Sequence, residues 1–428
     1  MSDNQELLPV NVDEASSYVI EPSRLEGEVY ISGAKNSILR LLAASILTDE
    51  RVNIMNYPKY LLDAQVHLEM LKNLGKECVV KEDEVEITQV FDTPSVLNWD
   101  GRSIRNTLLI LGALTTRTGM GAVPLPGGCK LGDRKIDFHV MLLRAMGAEV
   151  WEENDMLFAK TDGRLKGTDI HLPMRSTGAT ENGIICGCLA EGITRIWNPH
   201  IQPELFDLIG FLKKMGAKIN VYGQEHIEIT GVKKLRGTNH SIIPDNIEAI
   251  TWLIASVISG GDIEIHNFPV SDTEVPLVFL RESGARFYRN ENSLIVRGGR
   301  CYPFEITTGP YPAIKSDIQP LFTAFGACAN GVSKIVDLRY SDRYRYVAEL
   351  NKMGLVSEID GNMLTITGGK QLKGAEVKAL DLRGGASLAL AALVAEGQTI
   401  ISDAWQIERG YDKFADKLRA LGGKICNV

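Results

Sequence analysis

One cysteine sits where a thiol could do chemistry. In Pro124-Leu-Pro-Gly-Gly-Cys129-Lys-Leu-Gly-Asp-Arg134-Lys-Ile-Asp137, two prolines and three glycines fall within nine residues. Proline lacks the N–H a helix needs and glycine loses too much backbone entropy, so no helix spans the stretch. Lys130 follows the thiol by one residue and Arg134 by five. Nearby cations favour the thiolate and lower its pKa from about 8.5, and they also suit a phosphate. Between apolar helix-like runs at 107–114 and 138–146, such a loop can move as a lid. A structural turn carrying an incidental buried cysteine has the same local pattern.

The chain that positions this loop has 428 residues, enough for two domains or three. Its 44% hydrophobic and 23% charged residues are those of a globular protein. A net charge of −8 argues against a general nucleic-acid binder. No apolar run reaches membrane-spanning length. Residues 1–17 lack a signal pattern and read as a disordered tail. The seven cysteines are odd in number and widely scattered, which suggests reduced thiols in a cytoplasm. Neither they nor the seven histidines show zinc-ligand spacing, so no metal is expected.

One phrase recurs six times: Leu71-Lys-Asn-Leu-Gly75, Leu143-Arg-Ala-Met-Gly147, Leu212-Lys-Lys-Met-Gly216, Leu280-Arg-Glu-Ser-Gly284, Leu350-Asn-Lys-Met-Gly354 and Leu418-Arg-Ala-Leu-Gly422. Its glycines are 72, 69, 68, 70 and 68 residues apart, which indicates six copies of one unit. The spacing of Leu and Leu/Met puts two apolar groups on one helix face. The glycine ends the helix in the left-handed conformation, and short strands follow. Between the phrases run alanine-rich helices, apolar nearly all round, which should be buried on every side. The phrase-bearing helices should be the outer ones. Each unit then has one buried helix, one outer helix and about four strands. The fold class is α/β, three units to a domain. Residues 18–34 with 244–428 form one domain and 35–243 the other, with crossings near Ser32-Gly33-Ala34 and Pro244. Residues 230–245 read as a connection.

From about residue 18 to the end, the chain resembles the enolpyruvyl transferases, whose two inside-out α/β domains contain six such units. The motifs are Ile31-Ser-Gly-Ala-Lys35-Asn36, Leu125-Pro-Gly-Gly-Cys129, Gly178-Ala-Thr-Glu-Asn182, Pro244-Asp245, Ser316-Asp317-Ile-Gln-Pro320, Asp381-Leu-Arg383 and Glu408-Arg409-Gly-Tyr411. The match is to the branch acting on UDP-N-acetylglucosamine, which opens peptidoglycan synthesis. The Gly-Asn-Ala-Gly-Thr motif of the shikimate-phosphate branch is absent. The resemblance implies that Lys35, Arg105, Arg134, Arg383 and Arg409 bind phosphoenolpyruvate. It implies Cys129 as the acid at C3, also the target of fosfomycin, and Asp317 as the base, with Lys35 in the catalytic set. It implies that Asn36, Asp137, Ser176, Thr177, Gly178, Asp245 and Asp317 contact the UDP-sugar. No cofactor, membrane or nucleic-acid partner is implied, and a monomer is expected.

Several positions depart from the family's pattern. Arg40 stands where a proline is usual, Ile314-Lys315-Ser316 replaces an aromatic-Pro-Thr before the base, and Ser341 replaces an acid. Ile201-Gln-Pro-Glu204 replaces Arg-Glu-Pro-Glu. Lys315 and Ser341 make the field beside the base more positive, a direction that suits a phosphate closer to the reacting sugar. Three readings follow: transfer to UDP-N-acetylglucosamine, transfer to another uridine nucleotide such as UMP in specialised metabolism, and a non-catalytic regulatory homologue.

Overall fold

The computed structural model describes residues 16–126, 136–340 and 342–428. Cys129, Lys130, Arg134 and Ser341 lie outside the described residues, as does the tail up to residue 15. Residues 16 and 17 do not belong to a tail. The Ser17 N–H donates to the Val428 carbonyl and the Val428 N–H donates back, both at 2.9 Å, and Ser16 accepts from the Ala404 N–H at 3.0 Å. Residues 16 and 17 are thus tied to the last strand and to the segment at Ala404.

The unit is clearest at Asp169–His171, Thr177–Leu189, Ile193–Trp197, Pro203–Lys214, Lys218–Tyr222 and His226–Thr230, in the order strand, helix, strand, helix, strand, strand. The first two strands pair in parallel and the others antiparallel. Parallel neighbours need a crossover, and the apolar helix Thr177–Leu189 supplies it. Among the described residues there are five four-stranded sheets and one three-stranded sheet. In the smaller sheet, a parallel bridge from Val96 to Ala122 stands in place of the fourth strand. All six phrase-ending glycines have positive φ, from 82° to 104°. That conformation stops each helix and turns the chain into the next strand.

Two apolar cores divide the described residues. One draws on residues between 34 and 242, the other on 18–31 together with 247–425. In the second, Asn246–Ile258, Gln319–Cys328 and Leu382–Ala392 pack on one another with their sheets outside. The first is built the same way, with Thr107–Thr118 against Lys35–Ala44 and Thr177–Leu189. This is an inside-out arrangement, with helices within and sheets facing water. No helix of the described residues is long and apolar enough to cross a membrane.

The chain runs between the cores twice, and the two passages meet in an antiparallel bridge between Gly33 and Pro244. Residues 230–245 are more than a connection. They contain the strand Thr238–Ser241, which pairs in parallel with Val52–Met55 and completes the first unit's sheet. At the other end, Tyr18–Glu21 lies between Thr399–Ser402 and Lys424–Asn427 and completes the last.

The phrase-bearing helices are not uniformly outer. Leu62–Asn73 buries nine of its 12 residues and Pro203–Lys214 eight of 12, against three of nine in Asp137–Ala145. The two buried ones carry Asp63, Glu204 and Asp207, which are bonded to residues of neighbouring elements and cannot face water.

Candidate active site

Lys35 is the first residue of the helix Lys35–Ala44, just past the Gly33 crossing. Its backbone N–H donates to Oδ2 of Asp245 at 3.0 Å, and its ammonium lies 3.1 Å from Oδ2 of Asp63. The other oxygen of Asp63 accepts from Nε of Arg409, 3.0 Å away, in the opposite half of the molecule. One buried carboxylate is therefore shared by two cations from two cores. Burial lowers the pKa of Lys35, and Arg409 and Arg383 lower it further against the pull of Asp63. Asp63 is held below the usual carboxylate range: burial opposes this, but Lys35 and Arg409 prevail.

Arg383 completes the cation set from the fully buried helix Leu382–Ala392. Its guanidinium lies 4.9 Å from the Tyr411 ring centre and Nη1 donates to the Gly410 carbonyl at 3.3 Å. Buried Nε and Nη2 have no hydrogen-bond partner among the described residues. Desolvated donors beside two further cations suit a multiply charged anion.

Asp317, the residue matched to the base, accepts at Oδ1 from Nη2 of Arg343, 3.2 Å away. Arg343 is 1% exposed, donates from Nε to the Ser316 carbonyl at 3.1 Å and approaches Asp381 at 3.9 Å. Asp381 caps the helix that carries Arg383 by accepting from the Arg383 and Gly384 N–H groups. Arg343 thus ties Asp317 to the cation cluster. Asp245 has the corresponding duty for Asn246–Ile258, accepting from Ile247 and Glu248.

Of the residues matched to the acceptor, Ser176, Thr177 and Gly178 lie together at one helix start, whereas Asn36, Asp245 and Asp317 lie with the first cluster. Ser176 caps the helix Thr177–Leu189, and Thr177 Oγ1 is 2.6 Å from Nδ1 of His200. Nε2 of His200 accepts from the Tyr311 N–H at 3.3 Å, which links this helix start to the segment carrying Asp317. A Cβ on Gly178 would lie 3.1 Å from His139 Nε2, so a larger residue there would push the imidazole back. Burial lowers the pKa of His139 to about 3, with Arg105 adding to the effect. Arg105 therefore lies near His139, the residue that Gly178 approaches. Asp137 is exposed at the start of the helix Asp137–Ala145, and Asn36 is half-buried beside Lys35.

The expected positive field at Lys315 is not found. Its ammonium lies 2.7 and 3.0 Å from the two oxygens of Glu204, which is 1% exposed, and the pair cancels the charge. Arg40 likewise pairs with buried Glu181 at 2.9 Å. Asp63 and Arg343 were missed by sequence reasoning. Asp63 could have been flagged as a carboxylate within the apolar run Leu61-Leu-Asp-Ala64, and Arg343 as the cation of the segment read only for Ser341.

Among the other thiols, burial pushes Cys78, Cys186, Cys301 and Cys328 up to about 12 and raises Cys188 as well. Cys426 is exposed. Sequence spacing also concealed a cluster of Glu28, Glu264 and His266, whose ligand atoms lie within 4.8 Å of one another. Parallel pairing of Glu26–Tyr30 with Asp262–His266 creates it.

Residues 19–418 match the family described as EPSP synthase (3-phosphoshikimate 1-carboxyvinyltransferase). A protein of Carboxydothermus hydrogenoformans named UDP-N-acetylglucosamine 1-carboxyvinyltransferase 2 is 42% identical over 421 residues, 96% of this chain and 99% of its own. One of Actinobacillus succinogenes named UDP-N-acetylglucosamine 1-carboxyvinyltransferase is 40% identical over 410 residues, 94% and 97% of the two chains. The crystal structure of the enolpyruvyl transferase NikO from Streptomyces tendae matches with a TM-score of 0.89 at 24% identity, covering 97% and 99%. An EPSP synthase from Acinetobacter baumannii gives 0.76 at 19%, covering 96% and 100%. At these identities the two structures speak for the fold.

Proposed function

The chain belongs to the enolpyruvyl transferase family, and from that premise we propose that it transfers the enolpyruvyl group of phosphoenolpyruvate to the 3′-hydroxyl of UDP-N-acetylglucosamine, releasing phosphate. In the addition step the hydroxyl oxygen bonds to C2 as C3 takes a proton. In the elimination step C3 loses a proton, the C2–O bond to phosphate breaks, and the enol ether remains. Lys35, Arg383 and Arg409 take the phosphate and carboxylate, joined by Arg134 and Arg105. Asp317 removes the hydroxyl proton and Cys129 supplies the proton at C3. Asn36, Asp137, Ser176, Thr177, Gly178 and Asp245 orient the sugar nucleotide. Residues 18–34 with 244–428, and 35–243, act as two domains that close on the substrates. The product enters peptidoglycan synthesis.

The observation that carries this reading is the buried guanidinium of Arg383, whose Nε and Nη2 have no partner among the described residues, near Lys35 and Arg409 from opposite cores. Three cations at the junction of two domains supply what a ligand with both a phosphate and a carboxylate requires. The relatives' names support the acceptor. The test is to incubate the protein with both substrates and analyse the products by mass spectrometry and phosphate assay. One enolpyruvyl-bearing sugar nucleotide per phosphate is expected. Phosphate without that product, or neither, overturns the proposal.

A further inference from the structure

The segment carrying Asp317 is built into the second core, yet it is fastened to the first. Ile314 and Ile318 are buried in the second core. Between them Lys315 points the other way. It donates to both oxygens of Glu204, on the helix Pro203–Lys214 of the first core, and to Oδ1 of Asn246 at 3.2 Å. The amide nitrogen of Asn246 donates back to Glu204 at 3.1 Å, closing a three-membered network two residues past the Pro244 crossing. Burial alone would raise the Glu204 carboxyl, but Lys315 holds it below the usual carboxylate range. A second fastening lies four residues upstream, where the Tyr311 N–H donates to His200, itself bonded to Thr177. Both fastenings run to the half of the molecule that holds the acceptor-side residues.

We infer that Lys315 is a positioning residue: through Glu204 and Asn246 it sets Asp317 against the acceptor hydroxyl. The inference rests on the proposed transferase reading. Lys315 has no described contact with Lys35, Arg383 or Arg409, so its loss reaches the base and spares the phosphoenolpyruvate cations. Small displacements of a reacting group are costly, on the order of 10²-fold for about 1 Å.

The experiment compares wild type, Lys315→Met, Lys315→Arg and the double variant Lys315→Met/Glu204→Gln. It measures kcat, KM for both substrates, equilibrium phosphoenolpyruvate binding and thermal melting. The double variant leaves no unpaired buried charge, so its melting temperature should recover toward wild type. If Lys315 positions the base, kcat falls on the order of 10²-fold in Lys315→Met, stays low in the double variant despite recovered stability, and returns largely in Lys315→Arg. Phosphoenolpyruvate binding stays within about twofold of wild type, since the three cations keep their contacts. Wild-type kcat in Lys315→Met, or kcat that recovers together with melting in the double variant, overturns the inference and leaves a purely structural pair. Failure of wild type to turn over would instead overturn the transferase reading.

Discussion

Nε of Arg409 and Oδ1 of Asp63 are 3.0 Å apart across 346 residues of chain, and the same carboxylate holds Lys35 from its other oxygen at 3.1 Å. Asp63 therefore acts as a resident counter-ion for two cations that the proposed reaction needs for its substrate. Removing one partner of a buried charge network costs about 3–5 kcal/mol. Asp63→Asn should lower the melting temperature, and inorganic phosphate should recover more of the loss than it adds to wild type. Equal phosphate stabilisation of both proteins in thermal denaturation would show that the anion does not replace the carboxylate.

Lys35 sets the expected response to alkaline pH. Its pKa lies below the ordinary 10.5, through burial and then Arg409 and Arg383. Above its folded pKa it is neutral and loses its attraction for an anion, so phosphoenolpyruvate affinity should fall before the ordinary lysine range is reached. Binding should draw in a proton as that pH is approached, because an anion favours the charged lysine. Calorimetry in buffers of different ionisation enthalpy reads both effects. Affinity flat up to the ordinary lysine range, with no proton uptake, contradicts the assignment.

Glu181 gives a stability signature of definite sign. Burial pushes its carboxyl up to about 7 from 4.5, against the pull of Arg40. Between those values the folded protein keeps a proton that the unfolded chain has lost. The stability from this group is full below 4.5 and is lost as pH rises through 7. Urea denaturation across that window should show a slope in wild type that Glu181→Gln reduces. Identical slopes would mean that Glu181 is ionised throughout.

The six-unit fold was legible because its cues are local. A helix face, a left-handed glycine and a strand recur about every 70 residues, and each cue depends only on its neighbours. The pairing of Thr238–Ser241 with Val52–Met55 left no such trace, since nothing local marks a strand whose partner lies early in the chain. The site divides in the same way. Lys35, Arg383 and Arg409 stand in recognisable motifs, whereas Asp63 and the Lys315–Glu204 pair take their meaning from partners brought near only by folding. Lys315 read alone was an added positive charge; with Glu204 beside it the charge is cancelled.

Cys129 is expected to differ from the other cysteines in its thiol chemistry. Five other cysteines have raised pKa values through burial, and exposed Cys426 is the natural competitor. The phosphonate epoxide fosfomycin should alkylate Cys129 alone, while a neutral alkylating agent should also reach Cys426. Peptide mapping by mass spectrometry distinguishes the two. Fosfomycin modification at Cys426 with Cys129 untouched would remove Cys129 from the site.

The central claim is the identity of the acceptor, and steady-state phosphate release with competing acceptors tests it most directly. UDP-N-acetylglucosamine and UMP are each titrated at saturating phosphoenolpyruvate, in wild type and in Asp317→Asn. The ratio of kcat/KM values measures discrimination in the transition state. The expected result is a higher kcat/KM for UDP-N-acetylglucosamine, with turnover reduced about 10²–10⁴-fold in the variant, as for loss of a general base. A higher kcat/KM for UMP would contradict the account.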